Sequence, residues 1–292
     1  MPDAIGNKTA HDYHLDVPAP EQGFFAKGLG HGDWGAKNRL SHLFNPKSGN
    51  TVMLAFDHGY IMGATAGLER MDVTIAPLCR YADVLMATRG AIRSCIPPTV
   101  HNAICLRATH DASVLIDDMS TGNGVGADME AAIRMNASAV AIQCFIGGAG
   151  EARSLETLCR AVDAGERYGI PVLGVTAVGK EMAQYFLLAP RMLAELGASF
   201  VKTYYCDDFE KVVAACPVPI VIAGGKKLPE DEALTMAYRA ISDGARGVDM
   251  GRNIFQSEHP AAMCRAVAKI VHEKFTDREA FQFYQELAAQ DN

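Results

Sequence analysis

Residues 197–226 read GASFVKTYYCDDFEKVVAACPVPIVIAGGK, and this stretch holds one complete structural repeat. Gly197 ends a helical pattern, and the apolar run Phe200–Tyr204 follows it. Phe209–Ala215 then spaces its apolar residues as a helix does, and Pro219–Ala223 starts a second apolar run before Gly224 and Gly225. Short Val/Ile-rich runs joined by helices read as parallel strands covered on both faces. Working outward, the same rhythm gives strands at Thr51–Phe56, Asp83–Ala87, Ile104–Ala108, Ala139–Cys144, Pro171–Thr176 and Gly247–Met250. Helices are expected over Leu68–Tyr81, Gly126–Asn136, Ser154–Tyr168, Glu181–Leu196, Pro229–Asp243 and His259–His272, with an extra terminal helix over Asp277–Ala289. Pro229 with Glu230, Asp231 and Glu232 marks a first helical turn, and Gly169, Gly197 and Gly244 mark helix ends. Eight strand–helix units favour a closed (β/α)8 TIM barrel over an open doubly wound sheet, which needs five or six strands.

The chain of 292 residues suits one such barrel. Residues 1–50 stand apart as an N-terminal extension, Gly-, His- and Asp-rich, with a short helix expected near Gly35–Phe44; residues 51–292 form the barrel domain. Gly28–Gly35 imitates a glycine-rich nucleotide loop, but no apolar strand precedes it. A flexible arm, or a turn-rich segment packed on a neighbouring subunit, is expected there.

With 34 acidic and 27 basic residues the net charge is −7, and no Lys/Arg block occurs, so a nucleic-acid footprint is not indicated. A local cationic pocket for a small anion stays open, because net charge does not describe one cleft. The eight cysteines form no CxxC pair and several sit in apolar runs, as in a reduced cytoplasmic protein. No apolar stretch approaches the ~18–20 residues of a membrane span, and the polar start, broken by Pro18 and Pro20, carries no secretory signal.

Barrel chemistry sits at the carboxyl ends of the strands. Those ends supply Asp57-His58 on the first strand, Arg107 on the third, Gln143 on the fourth, Thr176 on the fifth, and Lys202 and Tyr204 on the sixth. Alternation puts 200, 202 and 204 on one face. If Val201 faces the helices, Lys202 points into the barrel. A buried ammonium either pairs with a carboxylate or has a depressed pKa, and carbonyl attack needs the neutral amine. The plain alternative is a structural lysine paired with Asp57 or Asp249. Gly224 and Gly225 after strand seven, and Gly251 and Arg252 after strand eight, form a candidate phosphate cradle, against simple turns and a surface cap. Asp57 and His58 suit proton transfer, against turn caps. Thr176, Tyr204 and Arg107 are candidates for substrate contact. His58, Asp57, Asp249 and His101 lack an HxxxH or HxH pair, so no metal is expected.

Several unbroken phrases extend the reading: Asp33-Trp-Gly, Thr51–Tyr60 (TVMLAFDHGY), Ala66-Gly-Leu-Glu-Arg70, Ala82-Asp-Val-Leu-Met, Lys202-Thr-Tyr-Tyr, Cys216–Pro229 (CPVPIVIAGGKKLP) and Gly247–Ser257 (GVDMGRNIFQS). From about residue 24 onward the chain resembles the class I aldolase family of barrels, which includes archaeal-type fructose-bisphosphate and deoxyribose-phosphate aldolases. It is most similar to the thiolase-like members. The resemblance implies that Lys202 is the reactive lysine and Asp57 the strand-one acid, and it assigns phosphate to Gly224-Gly225 and Gly251-Arg252. Sugar-bisphosphate aldolases of the family place an aromatic acid/base on strand five, where this chain reads LGVTAVGK with Thr176. That departure disfavours fructose-bisphosphate cleavage. The implied reaction moves acetyl from 3-hydroxy-5-phosphonooxypentane-2,4-dione, the phosphorylated autoinducer-2 breakdown intermediate, to coenzyme A as co-substrate, with no bound cofactor. A homo-oligomer is implied as well, since related proteins form decameric rings. Two other readings stay open: a Schiff-base aldolase acting on another phosphorylated sugar or ketone, and a non-catalytic phosphosugar-binding barrel.

Overall fold

The computed structural model describes residues 17, 23–177 and 183–290, of which 183 and 184 are described by backbone alone. The 178–180 part of the strand-five phrase and the expected start of the following helix at Glu181 lie outside them. Eight parallel strands close into a barrel: β1 (Thr51–Ala55), β2 (Val84–Thr88), β3 (Ala103–Arg107), β4 (Ala139–Cys144), β5 (Val172–Thr176), β6 (Phe200–Tyr204), β7 (Ile220–Ala223) and β8 (Gly247–Met250). Each strand is hydrogen-bonded to the next in sequence, and β8 returns to β1 with Thr51 opposite Gly247 and Met53 opposite Asp249. That seam requires its glycine. Gly247 has φ 151°, and a Cβ there would lie 2.1 Å from the Thr51 carbonyl oxygen, a separation no side chain tolerates.

Paired residues on parallel strands share a face. The register therefore sets the lumen: Val175 pairs with Lys202, Lys202 with Val221, Tyr204 with Ala223, and Ala223 with Asp249. Val201 lies on the opposite face, toward the helices, and is fully buried there. The helices bury one stripe each. In Pro260–Glu273 the stripe is Met263, Cys264, Ala266, Val267, Ile270 and Val271, and each large aliphatic in it adds about 1.5–3 kcal/mol by leaving water.

The single helix expected over Leu68–Tyr81 is divided into Met71–Thr74 and a tight 3-10 turn, Ala76–Tyr81. Pro77 explains the break, because it has no N–H to donate and its ring crowds the preceding turn. The helix expected from Gly126 starts at Met129 instead, where the Asp128 carboxylate accepts from Ala131 N at 2.7 Å. An unexpected helix, Arg89–Cys95, follows β2, capped by the Thr88 hydroxyl. A two-rung antiparallel ladder, Thr109–His110 against Gly124–Val125, brackets the loop after β3.

At the amino-terminal end of the barrel, the helix Trp34–Leu43 buries Leu40 and Leu43, and the Phe44 ring meets Phe200 edge-on at 5.4 Å. Within the Gly28–Gly35 stretch Leu29 is buried, while Gly28, Gly30, His31, Asp33 and Trp34 are exposed. Lys27 just before it donates to the carbonyls of Val213 (3.1 Å) and Cys216 (2.8 Å) at the end of helix Phe209–Ala215, where a cation is favoured. Ala26 and Leu29 are buried on the same chain's barrel. All eight cysteines are free thiols. No helix among the described residues is long and apolar enough to cross a membrane.

Candidate active site

Lys202 enters the lumen from β6 and meets Asp249 from β8, Nζ to Oδ2 at 2.9 Å. Both are buried, and the Met86 sulfur lies 3.8 Å from the amine. Burial alone would lower the lysine pKa, but the Asp249 and Asp57 carboxylates outweigh it and hold the amine's pKa above its ordinary value. Burial raises the Asp249 pKa, and the Lys202 charge offsets only part of that rise. The lysine thus follows the paired alternative rather than the depressed one. It rests as an ammonium beside a carboxylate more basic than usual, which is the acceptor its proton needs before the nitrogen can attack a carbonyl.

Asp57, just past β1, belongs to a second cluster centred on Arg107 at the end of β3. The guanidinium donates Nη1 to Asp57 Oδ2 at 2.9 Å, Nε to the Thr109 carbonyl at 3.3 Å, and Nη2 to both Asp111 and Gln143. Four of its five N–H groups are used within the protein. Asp111 also accepts from the Tyr60 hydroxyl at 2.7 Å and from Asn123 Nδ2 at 2.9 Å. Burial pushes the Asp57 carboxyl up, yet the Arg107, His58 and Lys202 charges bring it below the usual carboxylate range. Arg107, expected to touch substrate, ties together the loops after β1 and β3 and also borders the cavity that Lys202 lines. Tyr60, Asp111 and Asn123 were not legible as members of this cluster. Their only sequence sign is the spacing of Asp111, four residues after Arg107.

His58 Nδ1 stands 3.9 Å from Asp57 Oδ1, is buried, and has no hydrogen-bond partner among the described residues. Burial holds the imidazole pKa below its ordinary value against the pull of Asp57, so it is a neutral base near pH 7. The β8 loop can pass this close because residue 251 is glycine: a Cβ there would lie 2.3 Å from Ala55 O and 2.7 Å from His58 Cε1. Asn253 joins this loop to the Gly224-Gly225 turn, donating to Gly224 O at 2.6 Å and accepting from Leu228 N at 2.7 Å. Arg252 Nε is buried with no hydrogen-bond partner among the described residues.

One cavity of about 570 Å³ gathers Asp57, His58, Arg107, Lys202, Tyr204 and Arg252 on its wall, within the range of small-molecule sites. Ala223 and Arg252, which adjoin Gly224 and Gly251 in sequence, bring the ends of β7 and β8 to that wall. Thr176 borders the cavity, but its hydroxyl is held by Lys202 O at 3.2 Å and Thr203 Oγ1 at 3.1 Å. At the carboxyl end of β5, Val175 faces the lumen beside Lys202. Among the described residues, no group of three or more His, Cys, Asp or Glu side chains is placed to hold a metal.

A closed parallel barrel with a lysine–carboxylate pair in its lumen and an arginine at the β7–β8 corner is the build of a lysine-dependent aldolase barrel. The chain belongs to the DeoC/LacD family of aldolases, whose family model matches residues 51–257. It is 54% identical over 290 residues to a protein of Enterobacter sp. (strain 638) named 3-hydroxy-5-phosphonooxypentane-2,4-dione thiolase, covering 98% of each chain. It is 52% identical over 288 residues to an uncharacterized aldolase of Pasteurella multocida (strain Pm70), covering 97% of this chain and 99% of that one. Among solved structures, a Schiff-base-forming fructose-1,6-bisphosphate aldolase superposes with a TM-score of 0.71 at 25% identity, over 81% of this chain and 99% of the other. The chain is therefore an enzyme of the aldolase family on a (β/α)8 barrel.

Proposed function

We propose that this enzyme is a thiolase, active as a homo-oligomer, that moves the acetyl group of 3-hydroxy-5-phosphonooxypentane-2,4-dione to coenzyme A, giving acetyl-CoA and dihydroxyacetone phosphate. The observation that carries this choice within the family is β5. The lumen residue at its carboxyl end is Val175 and the Thr176 hydroxyl is turned into the wall, so its described residues lack the aromatic acid/base of the sugar-bisphosphate aldolases. Full-length identity to thiolases supports the same choice.

The residues then divide the work. Arg252, with an open buried N–H, holds the phosphate beside the Gly224-Gly225 and Gly251 turns. Lys202 passes its proton to Asp249, and its nitrogen adds to the C4 ketone and expels water, leaving an iminium. His58 takes the proton of the coenzyme A thiol, and the thiolate adds to C2. The C2–C3 bond breaks, acetyl-CoA departs, and the bond's electrons move into the C4 iminium as an enamine. Protonation at C3 and hydrolysis release dihydroxyacetone phosphate and free Lys202. Asp57, kept ionised by Arg107, stabilises the cationic nitrogen throughout, and Tyr204 borders the substrate.

Mixing the phosphodione with the enzyme tests this directly. Acetyl-CoA and dihydroxyacetone phosphate should appear in equal amounts, and only when coenzyme A is present. Cleavage that ignores coenzyme A overturns the reading in favour of an aldolase. Borohydride should trap a substrate adduct on Lys202; turnover without any adduct removes the imine step.

A further inference from the structure

Besides Lys202 and Arg252, the cavity wall includes the apolar side chains of Ile61, Met62 and Val114. Beyond His58, the loop after β1 ends its short helix at Met62, and the loop after β3 crosses it, Val114 N donating to Ile61 O at 3.2 Å. Ile61, Met62 and Val114 line the same cavity as Lys202. The rim they form keeps large apolar groups in water: Val114 is 52% exposed, Ile116 51% and Leu115 88%. β2 lies between β1 and β3 in the barrel, and the helix that follows β2 opens with Arg89 at the carboxyl end of that strand. Arg89 and Arg93, one turn apart, are both exposed and lie on one face of that helix, whose Ala91 and Ile92 are buried. Neither arginine has an ion-pair or hydrogen-bond partner among the described residues. On the other flank of the rim, Asp117 and Asp118 border the cavity.

We infer that this rim is the co-substrate's entry, with the pantetheine arm of coenzyme A lying on Met62 and Val114 and its nucleotide phosphates on Arg89 and Arg93. The inference rests on the thiolase reading and adds the site that reading leaves open. Three features select this occupant. The arm is long, thin and uncharged, with a gem-dimethyl group and methylene pairs to lie on apolar side chains, and it must deliver a sulfur past His58 to the lumen. The cavity that holds Lys202 and His58 continues onto the apolar Ile61, Met62 and Val114, and the exposed Arg89 opens the helix at the same end of the barrel with Arg93 one turn on, so thiol, arm and phosphates each have a surface suited to them. The acidic flank at Asp117 and Asp118 repels a polyanion and leaves the Arg89 side as its seat.

The test measures steady-state KM for each substrate. Val114→Asp and Leu115→Asp should raise the KM for coenzyme A tenfold or more. Arg89→Glu with Arg93→Glu should raise it similarly, yet leave the KM for pantetheine, which lacks the nucleotide, within twofold. In every variant, borohydride with the phosphodione and no thiol should still label Lys202, which shows that the lumen is intact. An unchanged KM for coenzyme A in both sets overturns the inference. So does a change of native mass in Leu115→Asp with that KM unchanged, which would make the rim a contact between copies. Absence of any coenzyme A-dependent turnover in the parent enzyme overturns the thiolase reading itself, before a variant is made.

Discussion

Lys202 and Asp249 sit on β6 and β8, with β7 between them, and their head groups meet at 2.9 Å inside the barrel. Each holds the other in its charged form: Asp249 raises the Lys202 pKa, and Lys202 draws the Asp249 pKa down against the rise that burial causes. Burial still leaves the Asp249 carboxylate more basic than an exposed aspartate.

Replacing Asp249→Asn keeps the shape and removes the acceptor. The expected loss in kcat/KM is about 10²–10⁴-fold, the usual contribution of one positioned acid–base group. Asp249 is also a leading cause of the raised Lys202 pKa. The rate of borohydride trapping on Lys202 should therefore rise with pH at a lower midpoint in the variant than in the parent. An unshifted midpoint would separate Asp249 from the amine's ionisation.

Arg107→Lys is a test of the cluster that joins the β1 and β3 loops. A lysine cannot reproduce the fork, and Asp57 and Asp111 would remain buried with incomplete partners. A loss of about 3–5 kcal/mol of stability is expected, read from the urea midpoint. A change under about 0.5 kcal/mol, the size of a surface substitution, would show that the cluster does not hold the loops.

Removing the arginine of the β8 loop separates binding from chemistry. Arg252→Gln should raise the KM for the phosphodione roughly tenfold or more, since a hydrogen bond to a charged group contributes about 1.5–3 kcal/mol, while kcat changes little. Inorganic phosphate should compete with substrate in the parent and lose that ability in the variant. Equal competition in both would move the phosphate elsewhere.

The imidazole of His58 ties stability to pH. Its folded pKa lies below the ordinary 6.5, so as pH falls through that value the unfolded chain takes up the proton first and stability is lost. Asp57, whose folded pKa is also lowered, adds a loss in the same direction below the ordinary carboxylate range. Asp249, raised in the folded state, acts in the opposite sense. Urea midpoints at pH 7.5 and 5.5 should therefore differ more in the parent than in His58→Gln. Equal differences would mean that the ring titrates as it does in water.

Most of the barrel was legible because its strands are buried on both sides and therefore read as apolar runs. Val84–Thr88 against an expected Asp83–Ala87 is a typical discrepancy of one residue. What escaped was short or polar. The Thr109–His110 and Gly124–Val125 ladder is too brief to show a period, and Arg89–Cys95 buries only Ala91 and Ile92. Within the site, alternation aimed Lys202 inward but left its partner open between Asp57 and Asp249. The choice depends on the stagger between β6, β7 and β8, which local pattern does not encode. The Arg107 cluster escaped for a related reason: its members are drawn from three loops and strands, and only the closed barrel brings them together.

The glycine seam between β1 and β8 has a consequence for synthesis and folding. Asp249 lies on the last strand to leave the ribosome, 47 residues after the lysine it serves, and β8 is held on its outer edge by the first strand of the barrel. Pairing the two ends of a chain this long is a slow, non-local event. Until it happens, Lys202 has neither its proton acceptor nor a sealed cavity around it. Under the proposed mechanism the nascent or partly folded enzyme carries a latent amine, whose reactivity toward carbonyl metabolites switches on only when the ring is complete.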